Sequence, residues 1–335
     1  MFEPTTGLVI HSAHDLFDAA DFRPAYLDSV DSLTIELQNE LPVPIVRRIL
    51  SLTANLTDLV LLLPPGAQEN ILSGLRFHGL DLFKTNLPHR LLVPFLANHT
   101  SLRIICLGSC GRGQLESCPL KACDLARIFV VESPCSCIPD LGHPQLTRLT
   151  LEGQGDPCFN SPAALKSLSN PLSSLLSLVI DFHPNDYDIL DSIIRVAPNL
   201  LTLKLLEKAP AVTRRGRHHG EIQSRRAWND NSRWFSSLLR LGRLEELALR
   251  TASRVIHSAS NDPESEQATL MCWVTRQIRV SRSSQTSCHH PAMTSLRVWY
   301  KVDDRATGII TVWSKSSSGW CNISRTVDPP RHAVF

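Results

Sequence analysis

The chain has 335 residues, 43% of them hydrophobic, and its 34 Lys and Arg side chains nearly balance 32 Asp and Glu, for a formal net charge of +2. That length allows a sizeable core, and the balance excludes an overall field that would steer the chain onto nucleic acid or an acidic membrane. The longest apolar stretches, such as residues 59–63, fall far short of the roughly 20 residues needed to cross a bilayer.

The first 29 residues read as an N-terminal cap or lead-in. They carry no basic segment followed by an apolar run and a small-residue cleavage site, so the expectation is a soluble intracellular protein, cytoplasmic or nuclear, with no membrane partner. Ten cysteines in a chain without an export signal read as thiols rather than as a disulfide framework.

From residue 30 a pattern recurs: an apolar residue, two others, an apolar residue, one other, an apolar residue. It fits Val30/Leu33/Ile35, Leu56/Leu59/Leu61, Phe77/Leu80/Leu82, Leu102/Ile105/Leu107, Leu125/Ile128/Val130, Leu146/Leu149/Leu151, Leu175/Leu178/Ile180 and Leu200/Leu203/Leu205. The starts are 21 to 29 residues apart. Two further copies, Leu244/Leu247/Leu249 and Met293/Leu296/Val298, follow gaps of 44 and 49 residues, filled either by insertions or by degenerate repeats.

The end of each copy alternates as a half-buried strand does. Between copies lie helical faces: Ile45, Val46, Ile49 and Leu50 after Pro42 and Pro44, and Ile189, Ile193, Ile194 and Val196 before Pro198. A strand and a helix in so few residues cannot bury their own apolar face, whereas stacked copies form a continuous core. The predicted fold is an α/β leucine-rich-repeat solenoid over residues 30–252, a curved parallel sheet with helices on its convex side.

The strings NLTDLVLLLP, TSLRIICLGSC, PQLTRLTLEG and PNLLTLKLLE resemble strand segments of leucine-rich repeats, in particular the irregular ones of F-box/leucine-rich-repeat-like proteins of basidiomycete fungi. The resemblance implies a protein-interaction scaffold similar to the substrate-recognition part of a ubiquitin ligase, with a ubiquitin-ligase adaptor as a partner if an F-box is present or supplied. Segment 41–52, LPVPIVRRILSL, looks superficially like the start of an F-box, but it falls where the repeat needs a helix. The family's regular repeat carries Asn or Cys eight residues after the first apolar position. Cys110 fits; Gln38, Pro64, Thr85, Ser133, Gln154, His183 and Lys208 do not.

Residues 207–228 form a basic insertion. Arg214, Arg215, Arg217, Arg225 and Arg226 read as a solvated loop, with binding of nucleic acid or a phosphate ligand as the alternative function. All six tryptophans follow residue 227, so residues 253–335 are expected to pack differently, as a C-terminal cap. Strand-like segments 309–313 and 320–324 around a turn at 314–319 predict a β-hairpin, and the last residues, from 327, are expected to be disordered.

Cys118/Cys123 and Cys135/Cys137 are poorly spaced for zinc, whose structural sites usually use paired ligands on tight turns, so they read as thiols. Cys288, His289 and His290 read as surface residues. No phosphate loop, zinc-helix, nucleophile-elbow or dinucleotide motif is present. The chain is therefore expected to be no enzyme, to need no cofactor and to hold no metal, an uncharacterised enzyme being the remaining alternative. Counting outward-facing positions from each triplet gives an apolar concave surface of Val60, Leu62, Phe83, Ile104, Phe129 and Val131 as the site for an unknown protein partner.

Overall fold

The computed structural model describes residues 6–21, 24–39, 42–65, 70–111, 117–138, 143–152, 160–168, 170–183, 186–208, 227–251, 255, 263–279, 285–301 and 308–328. The chain divides into two compact units, Met1–Gln154 and Gly155–Phe335.

In the first unit β1 (Gly7–Ile10) leads into α1 (Ala13–Ala20) and α2 (Pro24–Asp28), and β2 (Ser32–Glu36) into α3 (Val43–Leu52). After β3 (Asp58–Leu62) and β4 (Leu82–Thr85) comes α4 (His89–Asn98), followed by β5 (Ile104–Leu107), β6 (Val130–Pro134) and β7 (Arg148–Glu152). Helix α1 starts at Ser12, whose hydroxyl accepts from the Asp15 N–H at 3.1 Å while the Asp15 carboxylate accepts from the Ser12 N–H at 3.0 Å, a reciprocal cap. Hydrogen bonds to the carboxylate itself, from the Ser12 side chain first and then from the His11 N–H, hold the Asp15 carboxyl below the usual carboxylate range. Helix α3 forms from residue 43 to the end of segment 41–52 and buries Val46, Ile49 and Leu50. It is the crossover between parallel strands β2 and β3, the role the repeat assigns to it.

All seven strands pair parallel, each with the next in sequence, an open sheet rather than a barrel. One row in register runs Leu33, Leu59, Phe83, Ile105, Val131, Leu149, and every member is buried. The next inward row runs Ile35, Leu61, Thr85, Leu107. This register corrects two triplets. The third copy is Leu80/Phe83/Thr85 rather than Phe77/Leu80/Leu82, and the fifth is Ile128/Val131/Ser133 rather than Leu125/Ile128/Val130. In both, the last inward position is polar, so a search for three apolar residues settles three places too early. Thr85 is accommodated because its hydroxyl accepts from the Leu87 N–H at 3.1 Å.

Polar side chains hook three of the turns onto the one before. Asn86 grips the backbone of Leu63 twice, donating to its carbonyl at 2.7 Å and accepting from its N–H at 2.9 Å. Asn55 donates to the Asp28 carbonyl at 2.9 Å and Ser101 to that of Leu80 at 2.7 Å. Each bond satisfies backbone groups that the strand ladder leaves open.

The second unit holds α5 (Ser161–Lys166), β8 (Ser177–Phe182), α6 (Ile189–Val196), β9 (Thr202–Glu207), α7 (Asn231–Arg240), β10 (Glu246–Thr251), α8 (Pro263–Val274), β11 (Thr275–Arg279), β12 (Gln285–His289), β13 (Ser295–Lys301), β14 (Gly308–Ser316) and β15 (Gly319–Asp328). Strands β8, β9, β10 and β13 pair parallel in that order. Because β9 pairs directly with β10 and β10 with β13, the 44- and 49-residue gaps are insertions and place no further strand between these three in the sheet. The second insertion carries α8 and the antiparallel β11/β12 pair, which periodicity did not reveal. Strands β14 and β15 then pair antiparallel to each other, and β14 antiparallel to β13.

Three of the six tryptophans form a chain of edge-on ring contacts. Trp228 meets Trp234 edge-on at 6.2 Å, and Trp234 meets Trp273 at 5.9 Å. Beside them Glu266, 0% exposed, accepts from the Tyr300 hydroxyl at 2.6 Å, Trp313 Nε1 at 3.2 Å and Arg325 Nε at 3.2 Å. One buried carboxylate thus ties α8 to β13, β14 and β15. Burial, followed by the hydrogen bond to Glu266, pushes the Tyr300 hydroxyl up.

His290 is buried, which corrects its reading as a surface residue. Its Nδ1 accepts from the Met293 N–H at 3.1 Å and its Nε2 lies 3.0 Å from the Leu238 carbonyl. In the first unit His99 has the same arrangement, with Nε2 accepting from the Phe77 N–H at 3.0 Å and Nδ1 donating to the Phe95 carbonyl at 2.6 Å. Both rings are satisfied only when neutral, and burial lowers both pKa values.

Two outcomes follow. Glu266→Ala should lower the stability of the full chain by about 3 kcal/mol, because it leaves Arg325 and two buried donors without their acceptor; Glu266→Gln should cost less, as measured by urea unfolding. The two histidines stay neutral when folded but gain a proton when unfolded below the ordinary value of 6.5. Their contribution is therefore full above that pH and is lost as pH falls towards the lowered folded values. The urea midpoint should drop between pH 7.5 and pH 5.5, and less steeply in the His99→Gln, His290→Gln double variant.

Candidate functional site

Side chains alternate across a strand, so the residues between the buried rows face away from the helices. On the first unit's sheet one outward row runs Ser32, Asp58, Leu82, Ile104, Val130, Arg148, and the next runs Thr34, Val60, Lys84, Cys106, Glu132, Thr150. Leu62 continues a third row beside Glu36. All of these side chains are half-buried except that of Arg148, which is exposed. Val60, Leu62, Leu82, Ile104 and Val130 make the apolar part, with Asp58 and Arg148 at its flanks and Lys84 and Glu132 within it.

Three of the six residues expected on this face, Val60, Leu62 and Ile104, do lie there. Phe83 and Val131, both 0% exposed, point into the core instead: the three-residue slip inverted the two faces in those copies, and Leu82 and Val130 take their places. Phe129 is exposed but precedes β6. Its N–H bonds the Arg103 carbonyl at 2.9 Å, and its own carbonyl accepts from Thr147 at 2.8 Å, which places it at the sheet's N-terminal rim. The five insertion arginines, Arg214, Arg215, Arg217, Arg225 and Arg226, lie outside the described residues.

A second cluster lies at the other end of these strands, where the chain leaves β4, β5 and β6. His89 opens α4, Cys110 sits in the turn after β5, Cys118 precedes a 3-10 turn at Pro119–Ala122, and Cys137 ends a 3-10 turn at Cys135–Cys137. All four are buried, and one ligand-type atom from each lies within 4.8 Å of the others. His89 Nδ1 is 3.2 Å from Cys118 Sγ and 3.8 Å from Cys137 Sγ, and Cys110 Sγ is 3.9 Å from Cys118 Sγ.

The backbone builds this convergence. The His89 N–H bonds the Cys110 carbonyl at 3.1 Å, and the Gly108 N–H bonds the Thr85 carbonyl at 2.8 Å. Gly111 turns the chain at φ +69°, and a Cβ there would meet the Pro88 Cβ at 2.9 Å. The hydrogen bond from Cys137 holds the Cys118 thiol below the ordinary thiol range, while the bond with Cys118 and burial push Cys137 above it. Of the cysteine pairs weighed from spacing, only Cys118 and Cys137 belong to this cluster. Cys110 and His89 were missed as members because no short motif links them.

No family model matches the sequence, and no curated protein matches it. Among solved structures the chain is similar to the leucine-rich repeat-containing protein LegL7 from Legionella pneumophila, with 15% identity, a TM-score of 0.48, and coverage of 89% of this chain and 91% of that one. Among the described residues, no helix is long and apolar enough to cross a membrane.

Gly111→Ala should destabilise the chain by about 1–2 kcal/mol from left-handed backbone strain alone, and the contact with Pro88 should move Cys110 off the cluster. Thermal unfolding, together with the alkylation rate of Cys110, reads both effects.

Proposed function

We propose that the chain is a protein-interaction scaffold, not an enzyme, and that its partner docks on the outward face of the first unit's sheet. The supporting observation is the contiguous patch of Val60, Leu62, Leu82, Ile104 and Val130. These side chains sit on a rigid parallel sheet, and Asp58, Lys84, Glu132 and Arg148 set charges of both signs around and among them. Apolar anchors supply most of the binding energy in such interfaces, and neighbouring charges select the partner and its orientation. Repeated strand-and-helix units offer this kind of open surface because stacking leaves one sheet face uncovered by helices.

The finer reading, a substrate receptor of a ubiquitin ligase, follows from the resemblance of the strand segments to F-box/leucine-rich-repeat-like proteins. It requires an F-box in the chain or supplied by a partner.

The test is affinity purification of the full chain with quantitative mass spectrometry, comparing wild type, a Leu82→Asp, Ile104→Asp double variant, and a Lys204→Ala control on the second unit's sheet. A partner set held by wild type and control, and lost at least tenfold in the double variant at unchanged unfolding midpoint, is expected. Retention by the double variant removes the assigned face. A ligase adaptor among the retained proteins supports the receptor reading, whereas capture dominated by nucleic acid and steeply weakened by salt favours the arginine insertion. Phe83→Asp, by contrast, should unfold the first unit, since it buries a carboxylate in the core.

A further inference from the structure

We propose that His89, Cys110, Cys118 and Cys137 form a structural zinc site in the first unit. The donor set, one imidazole and three thiols, is a Cys3His set of the kind structural zinc takes. With zinc bonds of about 2.3 Å to sulfur and about 2.0–2.1 Å to nitrogen, a tetrahedral centre spaces two sulfurs about 3.8 Å apart and a sulfur and a nitrogen about 3.5 Å apart. Cys110 and Cys118 lie 3.9 Å apart, and His89 Nδ1 lies 3.2 and 3.8 Å from Cys118 and Cys137. Four side chains converging on one centre from the connections after three successive strands is more than the packing of apolar thiols requires.

The imidazole is also set for the task. Its Nε2 lies 3.3 Å from the Gly108 carbonyl, so the proton sits on Nε2, donated to that carbonyl, and Nδ1 keeps its lone pair facing the sulfurs. Metal-bound histidines commonly hold their other ring nitrogen in this way, which fixes the tautomer and the ring's orientation. On binding, each of the three thiols releases its proton to solvent while His89 stays neutral, which leaves a singly negative centre. All four donors are buried and four protein ligands fill a tetrahedron, so the role is to hold structure and not to catalyse.

The site would fasten the turns after β4, β5 and β6 together. It is independent of the proposed partner surface, so either reading can fail without the other.

Full-length protein, purified without chelators after expression in zinc-supplemented medium, should contain about one zinc per chain by inductively coupled plasma mass spectrometry. Cobalt exchanged into the same protein should give the intense visible bands of tetrahedral Co2+ together with thiolate charge-transfer absorption. In the native holoprotein Cys110, Cys118 and Cys137 should resist alkylation while the exposed Cys272 and Cys321 react, and a chelator should abolish that difference. Cys118→Ser with Cys137→Ser should lose the metal, while Cys272→Ser with Cys321→Ser should keep it. Because the wild-type metal content and cobalt spectrum need no variant, a misfolded double mutant does not obscure the answer. Wild-type protein with little zinc, an octahedral cobalt spectrum, a mass two hydrogens lower from a disulfide among these cysteines, or equal zinc in both double variants would overturn the site.

Discussion

Everything in the first unit depends on burying the inward face of each strand against the next repeat. One strand with its helix has two or three leucine-type side chains to hide and no layer of its own to cover them. Fully burying each is worth about 1.5–3 kcal/mol, a gain available only when the next copy stacks alongside. The continuous buried row from Leu33 to Leu149 expresses that dependence. It also fixes register: side chains alternate with period two, so any odd slip would turn a core row outward.

The same rule explains which parts of the fold the sequence discloses. Where all three inward positions are apolar, as at Leu56/Leu59/Leu61 or Leu200/Leu203/Leu205, the pattern gives strand, face and neighbour together. Where the third is Thr85 or Ser133, it still locates the repeat but misplaces it by three residues, and an odd slip exchanges the faces. Phe83 and Val131 were therefore read as binding residues although they are core. A hydroxyl at a core position is tolerated when a nearby backbone group occupies it, as the Leu87 N–H does for Thr85, and such local bonding leaves no periodic trace. The β11/β12 pair and the Glu266 network are illegible for a related reason: both rest on contacts particular to the second unit rather than on a repeat.

That slip also hid the equivalence of His89 and Cys137 with Cys110. Counted from the corrected starts Leu80 and Ile128 and the unchanged start Leu102, His89, Cys137 and Cys110 stand nine, nine and eight residues along. They are equivalent places, just past the strand end in three successive repeats, and stacking brings equivalent places together. Metal motifs of the finger type are read from ligands close in sequence. A solenoid supplies ligands one repeat apart, so the spacing to examine is the repeat length, with Cys118 reaching in from the intervening turn.

Position on the strands joins the two candidate sites. Leu82, Ile104 and Val130 stand on β4, β5 and β6, and the cluster lies where those same strands end. The hooks from Asn55, Asn86 and Ser101 each link one turn to its predecessor, and Val131 and Leu149, paired core residues of β6 and β7, are separated by a shorter connection than their neighbours are. The connections differ in length while the strands they join stay in register. A tie shared by the turns after β4, β5 and β6, as proposed for the zinc site, would hold three of those unequal turns at one point without touching the outward face.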